Sequence, residues 1–476
     1  MDRTRRWILE QIKCFRYSTA SAPVLPFADS LAPELVGQII EELELTFRRR
    51  IYTPFVTLCV FLGQVFSEDH SCREAVARLM AFQIAHGRKA CSPDTNPYCR
   101  ARRRLPEKLF EILVQRVGRW LQQSVPDAWL FHGRRVKSVD GSTVSMPDTP
   151  ENQKEYPQAK TQKPGCGFPI ARLVVVFCVA SGAVLEMAFG PYKGKKTGEN
   201  ALFRRLWDSL EADDLILADR CYCSYADIAL LGRRGVDIVF HKHQLRPSDF
   251  RRGRRLGKHD HLITWQKPKQ KPSWMDEQTF ADLPQELVLR ELKYAVIEKG
   301  KRPKQIILIT TLLDTQVFTQ QRLATLYNIR WRAEIDLRSL KSVMEMDVLR
   351  CKTPQMVRKE VWAHLLAYNL IRTVIAKAAE AHDRQPHQVS FKGALQTINA
   401  FRDYMLMDLT CHWYDALLKA IVHHRVAHRP GRYEPRAKKR RPKPYKLLQI
   451  PREEARKRKP GKTYDESTCH SCRIPF

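Results

Sequence analysis

The stretch from residue 134 to about residue 243 most limits what this chain can become, because apolar runs of strand length alternate there with amphipathic runs of helix length. RVKSVDGSTVSM reads as a strand and turn, and ARLVVVFCVASGAVLEMAFG as two strands around a turn at Ser181-Gly182. GENALFRRLWDSLEA then predicts a helix, DDLILADRCY a buried strand, SYADIALLGRRG a helix ending at Gly235, and VDIVFHKH a further strand. Three strands, helix, strand, helix, strand is the order of an α/β domain.

That order is the one expected of an α/β domain of the ribonuclease H type. From residue 241 to about 302 it is interrupted by a segment rich in Arg, Lys, Pro and Gly, closed by ELVLRELKYAVIEKG with strand-like alternation. We read it as a basic, β-rich insertion, after which KQIILITTLLD returns to a buried strand and residues 319 to 346 form one long helical pattern. Ahead of the domain, residues 30 to about 125 are helical, and NPYCRARRRLPEKL sets Arg100, Arg102, Arg103 and Arg104 beside Tyr98. Such a helix fits a DNA reader and equally a solvated basic face.

Charge points to a partner. With 82 Lys and Arg against 51 Asp and Glu the chain carries +31 at pH 7. Cations in that number gain most by releasing counterions from a phosphate backbone, so a long polyanion is expected. General solubility, or a ribosomal or membrane-surface role, stays open on charge alone. Thirteen cysteines, an odd count, fit a reducing cytosol better than a secreted disulfide framework. MDRTRRWILEQIKCFRY has charges where a signal peptide needs an apolar core, and IYTPFVTLCVFLGQVF is short for a membrane span and reads as a buried helix. A cytoplasmic, nucleoid-associated protein is expected.

Within YNIRWRAEIDLRSLK, Tyr327, Arg330, Glu334 and Lys341 stand at offsets 0, 3, 7 and 14. At about 100° per residue these fall within an arc of roughly 60°, beside an apolar stripe of Leu326, Ile329, Ala333, Leu337, Leu340 and Met344. Asp336 points about 160° away from Glu334. A carboxylate flanked by two cations and a phenol suits a site where metal and phosphate meet, although an ordinary i,i+4 pair of Arg330 and Glu334 stays open on the helix alone. Two further acids shift the balance: Asp140 ends the strand VKSVD and Asp219 ends LILAD. Acids at the ends of buried strands are costly without a partner or a function, and α/β sheets build their sites there. Asp140, Asp219 and Glu334 can converge on one metal centre.

Here the chain resembles the DDE transposases of bacterial insertion sequences, specifically the fourth insertion-sequence family, whose signature Y-x2-R-x3-E-x6-K is matched by Tyr327, Arg330, Glu334 and Lys341. VDGSTVSMPDT resembles the family's first-aspartate region and LILADRCYCSY its second, and the basic insertion lies where the family's does. The resemblance covers most of residues 30 to 380. It implies a ribonuclease H-like catalytic domain over 131–350, with its β-rich insertion at about 241–302. Around it would lie a helical DNA-end-binding domain over 1–130, a helical and possible dimerisation region over 351–424, and a disordered basic tail over 425–476.

The function implied is cut-and-paste transposition: binding of double-stranded DNA at terminal inverted repeats, cleavage, and strand transfer into target DNA, by a homodimer in a synaptic complex. Asp140, Asp219 and Glu334 would hold two Mg²⁺ ions, with Mn²⁺ as substitute, for in-line attack by water and later by a 3′-hydroxyl. Tyr327, Arg330 and Lys341 would contact DNA, with Arg102 and Arg103 of the N-terminal region. Some members stack a flipped base on a Trp of the insertion, for which Trp265 and Trp274 are the candidates. An inactive DNA-binding descendant and a structure-specific nuclease on the same fold are the alternatives.

Other signals read as structural. Cys469 and Cys472 form a lone C-x2-C, short of a zinc site. His241, His243, His259 and His261 form two H-x-H pairs for which DNA contact or solvent exposure is expected. Asp148, Asp213, Asp214 and Asp227 are read as turn, strand-entrance and helix acids.

Overall fold

The computed structural model describes residues 31–47, 50–85, 87–296, 304–405, 412–426 and 449–457. The strands are β1 (Val136–Ser145), β2 (Ile170–Cys178), β3 (Val184–Pro191), β4 (Leu215–Ala218), β5 (Asp237–His241), β6 (Arg254–Gly257), β7 (Asp260–Gln266), β8 (Glu286–Val296) and β9 (Lys304–Thr310). They form one nine-stranded sheet in the order β3-β2-β1-β4-β5-β9-β8-β7-β6. β1 to β3 form an antiparallel meander, while β4 and β5 run parallel to β1. The tight turn joining β2 to β3 needs Gly182, whose φ of 73° lies in the left-handed region and whose missing side chain leaves room for the Arg372 guanidinium.

Helices fill the expected places. The N-terminal ones are α1 (Pro33–Glu42), α2 (Pro54–Phe66), α3 (Cys72–Ala85), α4 (Asn96–Arg104) and α5 (Glu107–Gln123). α2 is the expected buried helix: the Thr53 side chain accepts from the Val56 N–H and Pro54 occupies the first turn, where no N–H is missed. Among the described residues no helix is long and apolar enough to cross a membrane. A short α6 (Pro150–Glu155) follows β1, α7 (Glu199–Arg204) and α8 (Tyr225–Arg233) link the central strands, and α9 (Glu277–Asp282) lies in the insertion. Then come α10 (Gln320–Ile329), α11 (Trp331–Arg338), α12 (Pro354–Ala381), α13 (Phe391–Met405), α14 (His412–His423) and α15 (Arg452–Lys457).

The insertion extends the main sheet. β8 pairs with β9, which pairs with β5, so β6 to β9 continue the central strands outward. Its charges are matched inside: Arg290 is bidentate on Asp260 at 2.8 and 2.5 Å, and Glu291 takes Lys242 at 2.5 Å and His261 at 3.0 Å. His261 is therefore a buried structural residue, against the exposure expected of it. A buried carboxylate is tolerable only with such partners.

Two apolar layers cover the sheet. On one face α5, α12 and the N-terminal helices share a single core with β2 and β3, through Phe61, Phe110, Val175, Phe177 and Leu366, and α10 continues that cover over β4, β5 and β9. On the other face α7 and α8 pack against Ile216, Ala218, Ile238 and Phe240. The helices before residue 130 and after 351 thus meet on the sheet. Of the basic tail only 425–426 and 449–457 are described, with a helix at Arg452–Lys457, and Cys469 and Cys472 lie outside the described residues.

Candidate active site

Strand alternation decides which side chains reach the site. In β4, Leu215 and Leu217 join the layer beneath α10, whereas Ile216 and Ala218 join the opposite one; Val239 and its neighbours Ile238 and Phe240 divide in the same way. Carried one step further, that period puts Asp219 and His241 on the α10 side. β1 adds Asp140 and Ser142, in phase with Val136 of the same layer.

Asp140 does not end its strand, as VKSVD suggested, but lies within β1, opposite Val175 of β2. The reason is pairing: β2 accompanies β1 to Ser145, whereas β4 pairs with it only over Val136–Ser138. Asp140 therefore sits just past the end of β4, where Asp219 also stands. Asp219 caps the turn Arg220–Tyr222, accepting from the Arg220 N–H at 2.7 Å.

The helix at 319–346 is not continuous, in contrast to the pattern. The N–H groups of Arg330 and Ala333 reach back only three residues, to Tyr327 and Arg330, and Ser339–Val343 is a π turn. Tightening at the first point and widening at the second act in opposite senses, so the signature residues still share one edge. The Tyr327 hydroxyl donates to the Ala218 carbonyl at 3.3 Å, next to Asp219. Arg330 donates to Glu334 at 2.7 Å and lies 4.0 Å from Asp140. Lys341 donates to Ser142 at 3.0 Å, two residues beyond Asp140.

Three acids from distant parts of the sequence thus border one patch, with Arg330 between two of them. Among the described residues no three His, Cys, Asp or Glu side chains are drawn together closely enough to enclose an ion. Burial pushes Asp140 up to about 6, aided by Glu334 and Glu199 and opposed by the Gly141 N–H and Arg330. Asp219 is held well below the usual carboxylate range, chiefly by its contact with His241 at 3.5 Å. Burial raises the Tyr327 phenol, so it stays protonated.

Other expected DNA contacts divide. Arg102 turns inward, donating to Gln64 at 3.0 Å with its guanidinium 4.8 Å from the Phe61 ring, because α4 packs that face on α2. Arg102 is therefore engaged within the helical packing, while Arg103 is exposed. Trp265 is 8% exposed with Arg246 stacked 3.8 Å from its ring, and Arg204 lies 3.7 Å from the Trp274 ring. The aromatic ring that does face solvent near Glu334 is Trp331, 60% exposed, which the sequence reading passed over.

Asp214 and Asp227 are structural, paired with Lys137 at 2.5 Å and Arg204 at 2.7 Å. Asp336 is buried against Arg372 and takes no part in the patch.

These features define an α/β protein with a carboxylate patch, and the chain belongs to the family of transposases with a DDE domain, whose family model matches residues 131–370. It is an enzyme of DNA transposition, in a family that catalyses DNA cleavage and strand transfer. Its type is that of the IS4 insertion sequences: it is 28% identical to the transposase InsG for insertion sequence element IS4 of Escherichia coli K12 over 386 residues, covering 79% of this chain and 82% of that protein. The transposase for insertion sequence element IS421 of Escherichia coli is 33% identical over 69 residues, 14% of this chain and 19% of that protein. Among solved structures, a piggyBac transposase synaptic complex with hairpin DNA aligns with 83% of this chain and 81% of that one, at 11% identity and a TM-score of 0.44.

Proposed function

We propose that Asp140, Asp219 and Glu334 are the catalytic carboxylates of this transposase and hold two Mg²⁺ ions, with Mn²⁺ able to substitute. The observation that carries this reading is the tethering of one helix edge to two strands: Arg330 joins Glu334 to Asp140, and Tyr327 ties the same edge to the backbone beside Asp219. The donor set fits a hard cation, being all carboxylate oxygen. Arg330 already brings positive charge between Asp140 and Glu334, and the buried Asp140 anion gains from a cation beside it. When bound, such ions activate water or a 3′-hydroxyl and stabilise the leaving oxygen of an in-line displacement.

The chain's own side chains then divide the remaining work. Lys341, held by Ser142, and Arg330 take phosphate oxygens at the DNA end. Tyr327, protonated and engaged by Ala218, orients that end and attacks nothing. Arg103 belongs to the end-binding surface of residues 1–130, and Trp331 offers the stacking face that Trp265 keeps covered. The strand order β3-β2-β1-β4-β5 supports a ribonuclease H-like catalytic domain over 131–350. The substrates in this reading are double-stranded DNA at terminal inverted repeats and target DNA, bound by a homodimer joined through 351–424 in the cytoplasm at the nucleoid.

The test is incubation of the purified chain with labelled DNA bearing the flanking inverted repeats, in Mg²⁺ or EDTA, beside Glu334→Gln. Metal-dependent nicking at the repeat boundary that the variant loses while still binding is the expected result. Binding without cutting by the unaltered chain would overturn it.

A further inference from the structure

We propose that Glu199 is a fourth carboxylate of the cation site, placed to hold the hydration shell of an ion bound by Asp140 and Asp219. This rests on the assignment of those aspartates made above. Glu199 opens α7, and an acid in a first helical turn is by itself ordinary. Its surroundings are less so. A Cβ on Gly141 would stand 2.6 Å from Glu199 Cδ and 3.0 Å from Oε1, so the carboxylate lies directly over the backbone that follows Asp140. Its other oxygen is 3.9 Å from Cys221 Sγ, two residues beyond Asp219. Asn200 donates to the Cys221 carbonyl at 2.7 Å and fixes the start of α7 to that turn.

Glu199 is thus wedged between the two aspartate segments, with Arg172 Nε 3.9 Å away as its ion-pair contact. That guanidinium is also engaged elsewhere, its Nη1 donating to the Thr197 carbonyl at 2.8 Å. Glu199 thereby adds a negative charge over the backbone between the two aspartates, which are themselves met by Arg330 and His241, and a hydrated divalent cation there would be favoured by that added charge. A second observation points to a ligand. Tyr222 is 1% exposed, its hydroxyl has no hydrogen-bond partner among the described residues, and Cys221, Glu199, Asp140 and Asp219 all act on it electrostatically. A buried hydroxyl without a partner is satisfied by a bound water of the kind a hydrated ion brings.

Mn²⁺ binding to the full chain, followed by the paramagnetic resonance of free Mn²⁺, tests the assignment without DNA. Glu199→Gln is expected to weaken binding by about tenfold or more, the cost typical of disturbing groups around a metal's direct ligands. Asp140→Asn should weaken it at least as much. Gly141→Ala, which leaves every acid in place but pushes Glu199 aside, should weaken it too. Weakening by Asp140→Asn with unchanged affinity in Glu199→Gln and Gly141→Ala would overturn the role of Glu199 alone. Unchanged affinity in Asp140→Asn as well would remove the aspartate assignment on which it rests. Should Glu199→Gln fail to fold by circular dichroism, Gly141→Ala decides: weakened binding supports the role and unchanged binding overturns it.

Discussion

Glu334 and Asp336 stand two residues apart on α11, and the account gives them opposite tasks. The Asp336 carboxylate pairs with the Arg372 guanidinium, the two side chains being 8% and 6% exposed, and Arg372 Nε also donates to the Tyr368 hydroxyl at 2.8 Å. Asp336→Ala leaves that guanidinium buried with only the phenol, a loss of about 3–5 kcal/mol. Glu334 is far more exposed, and its Gln variant still accepts from Arg330, so its cost is below about 1 kcal/mol. Native-state hydrogen exchange over α11 and α12 reads the difference. Since about 1.4 kcal/mol is a factor of ten, Asp336→Ala should speed exchange by roughly two to three and a half orders of magnitude. Glu334→Gln should change it by less than about tenfold while abolishing cleavage. Comparable acceleration in both variants, or none in Asp336→Ala, would refute the division.

Burial holds Asp140 at about 6, above its ordinary 3.8, so its contribution favours the folded state at low pH and is lost as pH rises through about 6. With divalent cations removed, unfolding in urea as a function of pH should show a loss on the order of 2 kcal/mol between about pH 4 and 7 that Asp140→Asn lacks. Arg102→Ala should lower the stability of the N-terminal helices by roughly 2 kcal/mol through the lost Gln64 bond, seen in thermal unfolding. Arg103→Ala should leave stability alone and reduce the salt dependence of DNA binding by about one ion in a salt titration. Tyr327→Phe removes one neutral hydrogen bond, about 1 kcal/mol. Its nicking rate should therefore fall about fivefold; a loss as complete as that of Glu334→Gln would contradict a contact role.

Much of the central sheet was readable because LILA and IVF are short continuous apolar runs of strand length, which the structure keeps as the buried strands β4 and β5. The length of β1 was not readable, since Gly141, Ser142 and Thr143 look like a turn and remain extended only because β2 pairs along them to Ser145. The break near Arg330 and the π turn were equally hidden, because a regular helix and an adjusted one share the same apolar spacing. The signature four announce themselves by spacing, whereas the placement of Glu199, His241 and Ser142 beside them does not. Each reaches the patch by tertiary placement, and the only trace in the sequence is that Gly141 follows Asp140. For Trp265 and Arg102 the sequence shows an aromatic and a cation, and only packing shows which way each faces.

The central claim is that three acids borne by β1, the end of β4 and α11 work as one site. Strand transfer from a pre-cut repeat end with a free 3′-hydroxyl into target plasmid tests it most directly, in the unaltered chain and in Asp140→Asn, Asp219→Asn and Glu334→Gln. The account predicts Mg²⁺-dependent joining by the unaltered chain and its loss in all three variants, each still binding the end. Joining at the unaltered rate by any one of them would contradict it.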